Sequence, residues 1–307
     1  METNVLSKII SHGEESSVES LINRIKAQPP SCGIERGLEL VEQLTKFEFG
    51  KFLIEHRGLN GAWTSYLALY PVKGRSAGLS SNGQPLSELE AWFLNRCPSV
   101  LATQERFRIF QEITQSNLKS CIQIASVPCG LMDDLLLLDY SGLDGVELTG
   151  VDLDIASLQA AEANYKNLDL EVSTHFEQSN ALELSASERW DFITSNGLNI
   201  YMPDDDQVIQ LYRRFFDSLK PGGQLLTSFL TPPPVLSSQS PWQVYDEADM
   251  KLLMVLSEIL PTKCQCYRTE DQAISQLKEA GFDIKDIRYD GQKFFPTVLA
   301  TKALISN

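Results

Sequence analysis

The sequence predicts an α/β protein: a doubly wound, mainly parallel seven-stranded sheet with an antiparallel C-terminal hairpin, preceded by a helical N-terminal cap. Three observations predict it. Up to about residue 118 the apolar residues recur at helical spacing, and beyond it short β-prone runs alternate with helical ones. The last two runs are joined by a turn signal instead of a helix. On this reading 1–118 is a helical cap or lid region and 119–307 is the sheet domain.

The elements follow in order. Leu38, Leu40, Val41, Leu44, Phe47, Phe49 and Phe52 mark the helical spacing of the first third, and the glycines and serines between Lys73 and Pro85 mark a loop. Ser87 with Glu90 three residues on is a capping-box signal ahead of Trp92 and Phe93. Strands are expected at Cys121–Val127, Leu148–Asp152, Glu171–His175, Trp190–Ser195 and Gln224–Phe229, separated by helical patterns, which implies parallel βαβ units. Asp204-Asp205-Asp206 reads as a helix start. Pro232-Pro233-Pro234 breaks the sheet and launches an insert from Trp242 to Leu260 with the spacing of one helix. Asp283–Tyr289 and Phe294–Thr301 then pair through a tight Asp290-Gly291 turn.

Composition narrows the function. At 307 residues and 43% hydrophobic, the chain can build a proper core, and its longest apolar run, Leu131–Leu138, is broken by Asp133 and Asp134, far from the roughly 20 residues of a membrane span. Glu2, Glu14 and Glu15 make the start unlike a secretory signal, so a cytoplasmic protein is expected. The formal charge of −15 repels a nucleic-acid backbone and leaves a small molecule as the default substrate. Cys32, Cys97, Cys121, Cys129, Cys264 and Cys266 form no CxxC pair, so reduced thiols and no metal are expected.

In a doubly wound sheet the first βα turn is the usual cradle for a nucleoside or phosphate. Here it reads Ser126-Val127-Pro128-Cys129-Gly130-Leu131-Met132, where Gly130 permits close backbone approach and a helix from Leu131 offers its N–H groups. GxGxxG is absent, which disfavours a nicotinamide dinucleotide. Asp152 ends the second strand about 20 residues on, where an acid accepts hydrogen bonds from both ribose hydroxyls. The plainer role for such an acid is to cap the next helix, a role that Asp154 fits without further explanation.

From Ser120 onward the chain resembles the class I S-adenosylmethionine (SAM)-dependent methyltransferase family, which has a Rossmann-like fold. The family's glycine-rich turn falls on Ser126 to Met132, where Gly130 and the small Cys129 keep the expected character. Pro128 and Met132 stand where glycines are usual, and Ser126 replaces an acid. The ribose-binding acid falls on Asp152, with Leu153 beside it, and the adenine-contacting pair on Asn180-Ala181. The end of the fourth strand, facing the methyl acceptor, falls on Ser195-Asn196-Gly197 and leads to Tyr201. Leu219-Lys220-Pro221-Gly222-Gly223 and Ala280-Gly281-Phe282 match the turns before the fifth and sixth strands. The resemblance implies SAM as cofactor, S-adenosylhomocysteine (SAH) as product, and methyl transfer to O, N or S of a small molecule. It also makes Trp242 and Tyr245 in the insert candidates for acceptor selection.

A sulfonium leaving group needs alignment and exclusion of water more than acid or base. If a base is used, His56 is a candidate, with His175 at the expected end of the third strand, while His12 lies near the N-terminus. Asn196 and Tyr201 complete the catalytic candidates. The stretch Arg57-Gly58-Leu59-Asn60-Gly61-Ala62-Trp63-Thr64-Ser65-Tyr66 combines two glycines with a flat aromatic pair and is read as a lid, packing of the helical layer being the plain alternative. Arg106 and Arg108 could meet a substrate carboxylate or simply face solvent. A SAM-binding protein without catalysis and an aminopropyl-type transferase are the rival functions; the latter calls for acids at the acceptor site.

Overall fold

A computed structural model describes residues 16–243, 245–261 and 265–303; His12, Cys264 and the acidic N-terminal residues lie outside them. The chain divides into two compact units. Among the described residues, the first comprises 106–242 and 266–303, and the second 16–105 with 243, 245–261 and 265. The sequence reading separated 1–118 from 119–307; in the structure the helix Pro98–Ser116 passes through the division, and the insert helix Glu247–Ile259 joins the helical unit.

The first unit is the sheet. β1 (Gln123–Ser126), β2 (Glu147–Asp152), β3 (Ser173–Gln178), β4 (Trp190–Ser195), β5 (Leu219–Ser228), β6 (Phe282–Arg288) and β7 (Thr297–Lys302) lie in the order β3-β2-β1-β4-β5-β7-β6. β1 to β5 pair in parallel, and β7 lies antiparallel between β5 and β6. The central strands are apolar at successive positions because both faces are covered. Ala125, Ile193 and Leu225 pack to one side with Val208, Leu211 and Phe215, while Ile124, Phe192 and Leu226 pack to the other with Phe110, Ile113 and Leu158. The strand order reverses between β1 and β4, so a crevice opens beyond their carboxyl ends.

Several local expectations are corrected. The third strand runs two residues later than expected, which puts His175 mid-strand and exposed on the sheet edge rather than at a strand end. The Pro221-Gly222-Gly223 turn is absorbed into β5 as an irregularity in its pairing with β4. The β6–β7 connection spans residues 289–296 and is no tight turn. Buried Asp290 organises it by accepting backbone N–H groups from Gln292 (3.0 Å), Phe294 (3.2 Å) and Phe295 (2.6 Å), a local alternative to a two-residue hairpin. The helix expected from Leu131 is only Asp133–Leu136, because Met132 takes a left-handed conformation (φ 60°) that ends helical continuity toward the turn.

The second unit is helical: Val18–Ala27, Ile34–Leu44, Glu48–His56, Gly61–Leu69, Glu88–Asn95, Glu247–Ile259 and the start of Pro98–Ser116. Their apolar stripes meet in one core that includes Leu40, Leu44, Phe49, Trp63, Leu94 and Ile259. Ser87 accepts the Glu90 N–H (3.3 Å), as the capping signal requires. The insert helix is tied in by buried Asp249, which accepts from Trp92 Nε1 (2.7 Å) and Arg96 Nε (3.1 Å).

Candidate active site at the switch point

The turn after β1 is held by backbone bonds from both neighbouring strands: Val127 N–H donates to Thr194 O (2.8 Å) and Cys129 N–H to Val151 O (2.9 Å). Gly130 follows at φ 51°, where a side chain would be strained, and its N–H donates to Asp152 Oδ2 (2.9 Å). Asp154 N–H donates to Asp152 Oδ1 (2.9 Å), so each carboxylate oxygen is oriented by one amide and keeps acceptor capacity for a further donor. Burial pushes the Asp152 carboxyl up, and the two amides pull it back. The capping role belongs to Asp154, whose carboxylate accepts from the Ala156 (3.1 Å) and Ser157 (3.2 Å) N–H groups. Next to Asp152, Leu153 is 60% and Ile155 50% exposed, an apolar pair left bare where β2 ends. Asn180 lies just beyond β3 and uses its Oδ1 on Leu182 N–H (3.0 Å), while Ala181 packs on the core.

One residue at this turn escaped the sequence reading. Asp134 is buried, and it accepts from Ser126 Oγ (3.0 and 3.1 Å to its two oxygens) and from Thr194 Oγ1 (2.6 Å). A carboxylate eight residues on thus stands beside Ser126 at the end of β1. Burial pushes this carboxyl up to about 6, against the pull of the two hydroxyls. The signal was present as an acid pair inside the apolar Leu131–Leu138 run, a placement that demands polar partners. Cys129 is buried beside both acids, which with burial hold its thiol protonated and unreactive. Pro128 follows a cis peptide bond.

Beyond β4, Ser195 is buried and its carbonyl accepts from Thr227 Oγ1 (3.1 Å), while Asn196 Oδ1 accepts from Ser228 Oγ (3.4 Å). Gly197 (φ 88°) opens a short 3₁₀ turn, Leu198–Tyr201, that carries Tyr201 to this edge. Arg268 holds that turn: its guanidinium donates to Asn199 O (2.9 Å), Met202 O (2.7 Å) and Asp205 Oδ1 (2.9 and 3.1 Å). Burial raises the Tyr201 phenol and the Arg106 charge opposes the rise.

Residues 124–223 match the family model of a methyltransferase domain, a span that takes in the turn, Asp152, Asn180-Ala181, Asn196 and the Pro-Gly-Gly irregularity. The chain carries a methyltransferase domain. A solved structure from Bordetella parapertussis, described as a possible exported protein, is similar over almost the whole methyltransferase: 40% identity, 93% of this chain and 94% of that one, TM-score 0.84. Magnesium protoporphyrin IX methyltransferase from Synechocystis PCC 6803, solved with bound SAH, shares the fold at 12% identity over 78% of this chain and 97% of that one, TM-score 0.53. No curated protein matches the sequence.

The other candidate residues have the following surroundings. His56 ends a helix with its ring 4.4 Å from that of Phe52. Trp63 is buried among Phe49 (5.3 Å), Phe52 (5.8 Å) and Tyr66 (5.4 Å), so the expected flat cover is corrected: this ring belongs to the core of the helical unit. Asn60 caps the helix Gly61–Leu69 by accepting Trp63 N–H (2.9 Å), and Arg57, at φ 46°, closes the preceding one. Tyr66 donates to Glu90 (3.4 Å). Trp242 stacks on Phe294 (3.8 Å, 19°) and donates to Thr231 Oγ1 (2.9 Å) in the sheet unit, whereas Tyr245, 76% exposed, falls in the helical unit.

Proposed function

We propose that this methyltransferase acts on O, N or S of a small-molecule acceptor, with SAM held at the carboxyl ends of β1 to β3. The orientation of Asp152 carries the reading: two amides position its oxygens and leave them able to accept from the ribose hydroxyls. The exposed Leu153 and Ile155 offer an apolar platform for adenine, bounded by Asn180-Ala181 beyond β3. Ser126, Pro128, Cys129 and Gly130 form the turn around the methionine moiety, and Asp134 supplies negative charge for its ammonium and sulfonium.

Bound SAM supplies an electrophilic methyl on a leaving group that needs no protonation. The protein's part is alignment and exclusion of water, for which Ser195, Asn196 and Tyr201 at the end of β4 are the candidates. With its phenol raised, Tyr201 acts at neutral pH as a hydrogen-bond donor to the acceptor rather than as a base. The formal charge of −15 favours a small acceptor over a nucleic acid. Among the described residues no helix is long and apolar enough to cross a membrane, and cytoplasmic placement stays part of the proposal, to be checked by fractionation.

Calorimetry with SAM and SAH on the wild type and Asp152→Ala tests the reading. Tight binding that collapses in the variant supports it; no binding of either nucleoside by the folded wild type overturns it. Transfer of a labelled methyl to a panel of small acids, alcohols, amines and thiols then identifies the acceptor atom.

A further inference from the structure

Two arginines are buried in the sheet unit, and they differ in what surrounds them. Arg268, 3% exposed, has Nε, Nη1 and Nη2 all engaged by Asp205 and two carbonyls, the pattern of a guanidinium that braces a loop. Arg106 is 7% exposed, and its Nε is buried without a hydrogen-bond partner among the described residues. Its guanidinium lies 4.3 Å over the Phe295 ring, a contact that satisfies no N–H group. The nearby acid is Asp290, whose two oxygens accept three backbone N–H groups of its own loop. Burial lowers the Arg106 guanidinium to about 10, so it remains a cation at neutral pH.

Its position is informative as well. A Cβ added to Gly197 would fall 3.1 Å from Arg106 Nη1, so the guanidinium reaches the backbone immediately beyond β4. Tyr201, on the turn that follows, feels its charge. Burying a cation costs several kcal/mol unless an anion compensates it, and a donor left buried without a partner adds to that. Resting on the reading of the β4 edge as the acceptor side, we infer that Arg106 is a carboxylate-binding subsite, and that the methyl acceptor carries a carboxylate anchored there.

The planar fork of a guanidinium matches the two oxygens of a carboxylate. A phosphate dianion would call for a second cation, and the charged or ionisable groups that act on Arg106, Tyr201 and Asp290, include none. A polyamine acceptor, as an aminopropyl-type transferase would use, meets the wrong sign of charge at this edge.

The test is nitrogen-15 NMR of arginine Nε–H groups in the full-length protein loaded with SAH, titrated with acetate, acetamide and inorganic phosphate. Arg106→Lys assigns its signal by loss, and Phe295→Leu, which removes the ring over the guanidinium, identifies the same signal by its shift if the first variant does not fold. A saturable Arg106 shift with acetate, none with acetamide, a weaker one with phosphate and a silent Arg268 are expected. The inference is overturned if Arg106 does not respond up to about 100 mM acetate, roughly a hundredfold above a millimolar affinity, responds equally to acetamide, or prefers phosphate. SAH calorimetry separates the two failures: SAH binding with a silent Arg106 removes the subsite alone, whereas an acetate response without SAH binding removes the acceptor role together with the methyltransferase site.

Discussion

The two sides of the switch point differ in the charges they bury. Around the turn after β1, buried or half-buried Asp134 and Asp152 are oriented by hydroxyls and amides. Beyond β4, buried Arg106 and Arg268 lie with the buried carboxylate Asp290, whose oxygens accept N–H groups of its own loop. On the proposed function, the first side takes the cationic sulfonium and the second an anionic acceptor. In that proposal the charges at each side discriminate the orientation of the ligands before any chemistry occurs. The sides also differ in construction. The acids come from the turn after β1 and the end of β2, with Thr194 of β4 bonded to Asp134, while Arg106 comes from the helix before β1 and Arg268 from the stretch before β6.

Perturbing each side tests the division. The largest effect is expected from Arg268→Met, which removes the donors to Asn199 O and Met202 O: a loss of about 3–4 kcal/mol in denaturant unfolding, with SAH affinity per folded molecule unchanged. Asp152→Ala does the reverse, costing roughly 100-fold in SAH affinity for two lost charge-assisted hydrogen bonds while Arg106 keeps its acetate response. A loss of both functions in either variant would break the comparison.

Asp134→Asn probes a pH window. The folded carboxyl sits at about 6 against an ordinary 3.8, so the folded protein holds a proton that the unfolded chain has released between those values. The wild type therefore loses stability from this group as pH rises from 4 to 6, and the penalty persists above that; the amide avoids it. Asp134→Asn is expected to be more stable than wild type at pH 7.5 by up to about 3 kcal/mol, with the advantage vanishing near pH 4, as read by urea melts at both values. Because cationic SAM favours the ionised form, wild-type SAM affinity should rise between pH 5 and 7 and that slope should flatten in the variant. The smallest effect is expected from Gly197→Ala, which forces a side chain onto φ 88° against Arg106: about 1–2 kcal/mol in thermal unfolding, with a shifted Arg106 Nε signal.

The alternation of strands and helices, the β2 acid and the turn around Gly130 were legible in the sequence because local patterning and short spacing encode them. The same holds for Ser87 and Asp154, whose capping bonds are made within three residues. Strand ends were less legible: β3 shifted by two residues because its partner β2 sets the register, and the β6–β7 connection lengthened because Asp290 found backbone donors that no turn statistic anticipates. The lid reading of Trp63 rested on composition, which cannot distinguish a ring that covers a site from one inside a core.

By itself the sequence determined the doubly wound class, the family resemblance and the proposed nucleoside side of the site, all carried by short-range patterning and motif spacing. Only the tertiary structure decided that Asp134 is bonded to Ser126 and Thr194, that Arg268 braces the turn carrying Tyr201, and that Arg106 is buried beyond β4 without a bond to its Nε among the described residues. A charge's role depends on which groups meet it after folding, and those partners lie 60 residues away for Thr194 and 69 for Asn199. No spacing along the chain records such distances, because the strand order that closes them is set by packing of the whole sheet.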